Sequence, residues 1–141
     1  MLISLVQRYK NNNYTLTLCV ILTMIILENN YLTGYPSNVL EYLHRSISQY
    51  SSWGNRIKVG ITNNPERRLM EHERSNQNWQ RMVVMYKSTS INNTSWLERE
   101  LVERNWERVE NEIFGGGGGI GEGFQYLYVL LRLTRTTHNN S

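Results

Sequence analysis

Hydrophobic and polar positions change period several times along this chain, and each change marks an element. Residues 57–61 alternate as a strand does, with Ile57, Val59 and Ile61 on one side and Lys58, Gly60 and Thr62 on the other. Asn64 and Pro65 follow, an Asn cap with Pro at the first helical position, and predict a helix to about Ser75. Residues 82–87 (MVVMYK) and 125–131 (QYLYVLL) read as two more strands. In the second of these, Tyr126 and Tyr128 share a face opposite Leu127, Val129 and Leu131. Upstream, Ser37 is placed to cap a helix from Asn38 to about Tyr50, with Val39, Leu40, Leu43 and Ile47 on one side and a loop at 51–55. Ser95 is expected to open the longest helix, reaching Ile113. The expected fold is α+β, a small three-stranded mixed or antiparallel sheet flanked by helices.

The ends are patterned differently. Residues 14–27 (YTLTLCVILTMIIL) are apolar and preceded by Arg8 and Lys10. This run fits a structural extension, with a buried strand in it, a signal or membrane anchor that would bring membrane association, or poorly ordered sequence. It is shorter than the ~20 residues of a membrane helix. The glycine run at 115–119 interrupts regular structure and reads as a connector before the last strand. The expected organisation is an N-terminal extension over 1–36, a domain over 37–133 and a polar tail over 134–141.

Composition narrows the chemistry. The chain has no Asp, so any carboxylate in a site is a Glu. One cysteine, Cys19, excludes an intrachain disulfide and a cysteine-rich zinc site. The net charge of +3 says little by itself. Its distribution says more: from residue 53 to 87, Arg56, Lys58, Arg67, Arg68, Arg74, Arg81 and Lys87 face only Glu66, Glu71 and Glu73. Such a surface suits a phosphate-bearing partner, or merely a solvated face.

Three residues stand out against their elements. On the expected 95–113 helix, Glu98 falls in the middle of the half that carries Leu97, Leu101, Val102, Trp106, Val109 and Ile113. A carboxylate there must be paired, hydrogen-bonded or metal-bound. Alternatively it closes a capping box with Ser95, in the pattern Ser-Trp-Leu-Glu. Arg68 and His72 are four apart and share a helix face. Arg67 and Glu71 can pair with each other, which would leave Arg68 for a phosphate oxygen. Gly60 is expected to leave an open floor on its strand.

The segment KVGITNNPERRLMEH, the later LERELVE helix and Asn111 together resemble the GIY-YIG nuclease superfamily. The family's second motif corresponds to Lys58, Gly60, Thr62, Arg68 and His72, and its metal-binding Glu to Glu98. Lys58 replaces the motif's tyrosine. The Gly-Ile-Tyr strand does not stand upstream, so the last strand is expected beside residues 57–61, with Tyr126 or Tyr128 supplying the phenol. The resemblance implies a metal-dependent DNA endonuclease. Glu98 would hold a single Mg²⁺ or Mn²⁺, Arg68 would steady the phosphate, and a tyrosine or Lys58 would help deprotonate water. His72 would assist, and Arg56, Lys58, Arg67 and Arg68 would meet the DNA backbone. No small-molecule cofactor is implied. The alternative is an inactive domain of the same fold that binds nucleic acid or protein.

Overall fold

A computed structural model of the protein describes residues 24–111 and 122–134. Four strands and three helices alternate within them. They are β1 (Ile26–Leu32), α1 (Pro36–Ser52), β2 (Asn55–Thr62), α2 (Pro65–Arg74), β3 (Arg81–Ser88), α3 (Ile91–Arg104) and β4 (Gln125–Leu133). The sheet order is β1-β3-β4-β2. β1 runs parallel to β3, and β4 is antiparallel to both β3 and β2. The class is α+β as expected, but the sheet has four strands, not three. The extra strand is β1, from the stretch read as an N-terminal extension. The rest of the apolar run and the glycine run lie outside the described residues.

The sheet buries both faces. Ile57, Val59 and Ile61 of β2, with Leu127, Val129 and Leu131 of β4, pack against α1 and α3 in the main core. On the other face Tyr128, Leu130, Met82, Val84 and Trp79 form a smaller core, covered in part by Leu69 of α2. The last strand is apolar on one side and aromatic on the other because it is central and touches both layers.

The helix boundaries correct the sequence reading in three places. Among the described residues α1 is the longest helix, at 17 residues, and it starts at Pro36 with Tyr35 in the cap position and no side-chain cap. Proline at the first turn needs no amide partner, so Ser37 is not required as a cap. α3 is capped by Ser90, whose hydroxyl accepts from the Asn93 amide, and it ends at Arg104. Ser95 is therefore inside α3, and the capping-box reading of Glu98 falls. The Ser-Ile-Asn-Asn start was masked by a second Ser at a better-looking spacing.

β2 is an edge strand, and its open side is closed by the residues after α3. Val109 forms an isolated parallel bridge to Ile57, and the Glu110 amide donates to the Ile57 carbonyl (2.8 Å). Asn111 then mimics a strand neighbour: the Val59 amide donates to its Oδ1 (3.0 Å) and its Nδ2 donates to the Val59 carbonyl (2.8 Å). This clasp satisfies an edge that would otherwise expose unpaired donors and acceptors. Asn111→Ala is expected to cost about 1–3 kcal/mol and to lower hydrogen-exchange protection at the Val59 amide selectively. Unchanged protection there would show that the clasp is not formed.

Candidate active site

β2 and β4 lie in register with Lys58 opposite Leu130, Gly60 opposite Tyr128 and Thr62 opposite Tyr126. The last strand thus stands beside residues 57–61, as expected. Directly opposed residues point to the same face, so Tyr128 leans over Gly60. A β-carbon at Gly60 would lie 2.5 Å from the Tyr128 Oη and 2.6 Å from Cζ. The floor expected to be open is occupied by the phenol. Glycine is needed here for close approach of a ring rather than for an unusual backbone angle.

α2 delivers two more groups to that phenol. Thr62 and Asn64 brace the turn, with the Asn64 amide donating to Thr62 Oγ1 (3.1 Å). The Asn64 side chain accepts from the Arg67 amide (3.0 Å) and fixes the helix start. Arg68 and His72 then face the sheet. Arg68 Nε donates to Tyr128 Oη at 3.2 Å, and His72 Nε2 lies 2.8 Å from the same oxygen. Arginine can only donate, so the phenol oxygen accepts from it. Burial holds His72 down at about 4, and the nearby Arg68 and Lys58 charges add to this. The imidazole is therefore neutral at neutral pH, and in the tautomer with its proton on Nδ1 the Nε2 accepts from the Tyr128 hydroxyl.

Arg68 is not partnerless, which corrects the expectation from spacing. Glu71 accepts from both Arg67 Nη1 (3.1 Å) and Arg68 Nη1 (2.6 Å). A three-residue spacing serves as well as four on a helix. The Arg68 bond is the main reason the Glu71 carboxyl sits below its ordinary range. Among the described residues Arg68 Nη2 has no protein partner, so one edge of the guanidinium is left for a ligand. Tyr128 is pushed above its usual value by burial, against the lowering effect of Arg68. It is therefore a protonated phenol in the resting protein.

Glu98 comes from α3 and is 3 % exposed. Its Oε2 is buried with no hydrogen-bond partner. Burial pushes the carboxyl up to about 7, with Arg68 opposing the rise. Arg68 and Tyr128 are both near enough for their charges to couple with it. The orphaned oxygen is a test of fit for a divalent cation. Mg²⁺ takes carboxylate oxygen and completes its shell with waters and substrate phosphates, so one carboxylate is a sufficient protein anchor. Among the described residues no group of three or more His, Cys, Asp or Glu side chains could form an all-protein cage. Glu98 therefore fits a cation bound jointly with a phosphate ligand.

The remaining expected site residues separate. Lys58 stands on the same strand face as Gly60, half-buried, and its charge reaches His72. Tyr126 lies with Tyr31 and Lys87 and not with Arg68. Arg67 is tied to Asn63 and Glu71 on the outer side of α2. Arg56 lies at the far end of β2 and pairs with Glu110 (3.6 Å).

A family model for the T5orf172 domain matches residues 42–115. The chain belongs to the T5orf172 domain family. No curated protein and no solved structure matches it. The matched residues of the T5orf172 domain include Lys58, Gly60, Arg68, His72 and Glu98, whereas β4 and its Tyr128 lie beyond them.

Glu98 and His72 give opposite dependences of stability on pH. The Glu98 carboxyl is raised in the fold, so its contribution is complete below its unfolded value of 4.5 and is lost as pH rises through about 7. His72 is depressed, so its contribution is present above 6.5 and is lost as pH falls through about 4. Each is worth about 3 kcal/mol, and between the two ordinary values they offset one another. In chelator, urea unfolding of Glu98→Gln is expected to show stability rising with pH across this interval. His72→Gln is expected to show it falling. Parallel curves for both variants would contradict the assigned protonation states.

Proposed function

We propose that this chain is a metal-dependent endonuclease with a GIY-YIG-like site assembled in altered strand order. The observation that carries the reading is the convergence of Arg68, His72 and a C-terminal tyrosine on one point above Gly60, with a buried carboxylate lacking a partner nearby. In the resembled family the tyrosine strand precedes the glycine strand. Here β4 arrives last and takes the equivalent place, and Tyr128 replaces the phenol missing at Lys58.

The residues suit phosphodiester hydrolysis. The outer edge of Arg68 is an electrostatic partner for a phosphate oxygen, strengthened by partial burial. Glu71 is the carboxylate that a phosphate would have to displace from, or share on, the guanidinium. Lys58 adds positive charge along the same strand face. As water attacks phosphorus, its proton passes to Tyr128 Oη and the phenolic proton passes to His72 Nε2. A P–O bond to water forms, the ester P–O bond breaks and the leaving oxygen is protonated from solvent. An arriving phosphate anion offsets the positive surroundings of His72 and so favours its protonation at that moment. A bound Mg²⁺ or Mn²⁺, held by Glu98, would supply charge stabilisation to the phosphoryl oxygens and the leaving group.

Incubation of the full chain with supercoiled plasmid and Mg²⁺ or Mn²⁺ tests this reading. Nicking or linearisation is expected, falling about 10²–10⁴-fold in Tyr128→Phe, which removes the proton carrier and keeps the ring. Arg68→Ala is expected to lose about 10²–10³-fold, and Glu98→Gln to abolish cleavage with either metal. Cleavage unaffected by Tyr128→Phe and Glu98→Gln would place the chemistry elsewhere. Salt-sensitive DNA binding without cleavage would make the chain a binding module of the same fold.

A further inference from the structure

Two residues from Tyr128 on the same strand face, Tyr126 sits at the edge of a second cluster that the proposed chemistry does not use. The Lys87 ammonium lies 4.0 Å from the Phe124 ring centre, 5.3 Å from Tyr31 and 5.7 Å from Tyr126. Tyr31 meets Tyr126 edge-on, with centroids 6.5 Å apart and planes at 72°. Phe124 is 49 % exposed and Tyr31 40 % exposed, so much of each ring faces solvent. Lys87 makes no ion pair among the described residues, although Glu residues neutralise most other cations here, Arg68 and Arg81 included.

A register shift builds this cluster. Between β3 and β4 the pairing slips between Val84 and Tyr86, so that Val84 stands opposite Tyr128 while Lys87 stands opposite Tyr126. Met85 and Tyr86 both turn into the main core as a result. Lys87 then emerges on the Tyr128 face, where uninterrupted alternation would have put Tyr86. Bulges commonly re-aim one side chain in this way beside a functional site.

From this we infer that Tyr31, Phe124 and Tyr126, with Lys87 between them, form a subsite that stacks an unpaired base of single-stranded nucleic acid next to the cut phosphodiester. Residues two apart on a strand are separated by about 7 Å, so the cluster is about one nucleotide from the Tyr128 phenol. Exposed rings offer a π-face to any base, and the unpaired ammonium complements the adjoining phosphate. A duplex keeps its bases stacked internally and cannot present one to these rings. The location of the cut bond rests on the nuclease reading; the stacking surface does not.

The test is binding of a short fluorescein-labelled oligothymidylate to the full chain, followed by anisotropy in chelator so that nothing is cut. Phe124→Ala and Tyr31→Ala are each expected to weaken binding about tenfold and to leave binding of a blunt duplex unchanged. Phe124→Trp is expected to retain wild-type affinity. Lys87→Met is expected to lower the slope of log affinity against log salt by about 0.7. Circular dichroism of each variant separates these effects from unfolding, because both exposed rings can be removed without opening the core. No binding of the oligonucleotide by the wild-type chain, or equal binding by the alanine variants, overturns the subsite. Plasmid cleavage measured alongside keeps the two readings apart. Cutting with ring-independent binding removes only the subsite, and ring-dependent binding without cutting removes only the nuclease.

Discussion

The proposed nuclease site depends on a tyrosine ring lying against a glycine across two antiparallel strands. The contact between Tyr128 and Gly60 leaves no room for a β-carbon. It lowers the phenol to where Arg68 and His72 can both reach its oxygen, and it sets the distance between the sheet and α2. Each neighbour has a consequence for the others. Arg68 can only donate, so the phenol oxygen accepts from it and its proton stays free to go to a neutral His72 Nε2. Burial keeps His72 neutral so that it can accept. Burial also leaves Glu98 with an oxygen that has no hydrogen-bond partner. A buried polar group in that state is costly unless a ligand completes it, which is the ground on which we propose a site here.

The scaffold explains how residues so far apart in the chain meet. β4 sits between β2 and β3, and pairs along most of its length with both. That central position gives Tyr128 a fixed register, because a one-residue slip would turn the apolar set of β4 out of the main core. The Asn111 clasp holds the outer side of β2 and therefore Gly60. The bulge in β3 belongs to the same logic, since it turns Lys87 toward the Tyr128 face while the core takes Tyr86.

Much of this was legible in the residues. Alternation at 57–61, the Asn-Pro helix start and the shared face of Arg68 and His72 rest on local rules that tertiary context did not override. The pairing of the last strand with β2 came from the family resemblance, which calls for a tyrosine-bearing strand beside Lys58-Val59-Gly60 and finds none upstream. Other features depended on non-local facts. Ser90 and Ser95 are both acceptable caps, and only packing selects the first. Glu71 could pair at a spacing of three or four, and it does both. Gly60 gave a signal for close approach but not for what approaches, so its floor read as open. Tyr126 and Tyr128 are equivalent in pattern, and register alone separates the site tyrosine from the aromatic cluster. β1 was hidden because it takes only Ile26 and Leu27 from the apolar run and continues through Glu28, Asn29 and Asn30.

The most direct test of the account is the nitrogen chemical shifts of His72 by long-range ¹H–¹⁵N correlation at neutral pH, in the wild-type chain and in Tyr128→Phe. The predicted result is a neutral ring protonated on Nδ1, with an Nε2 resonance that moves when the phenolic hydroxyl is removed. A charged imidazolium, or an Nε2 resonance indifferent to Tyr128→Phe, would contradict the convergence of the last strand on α2.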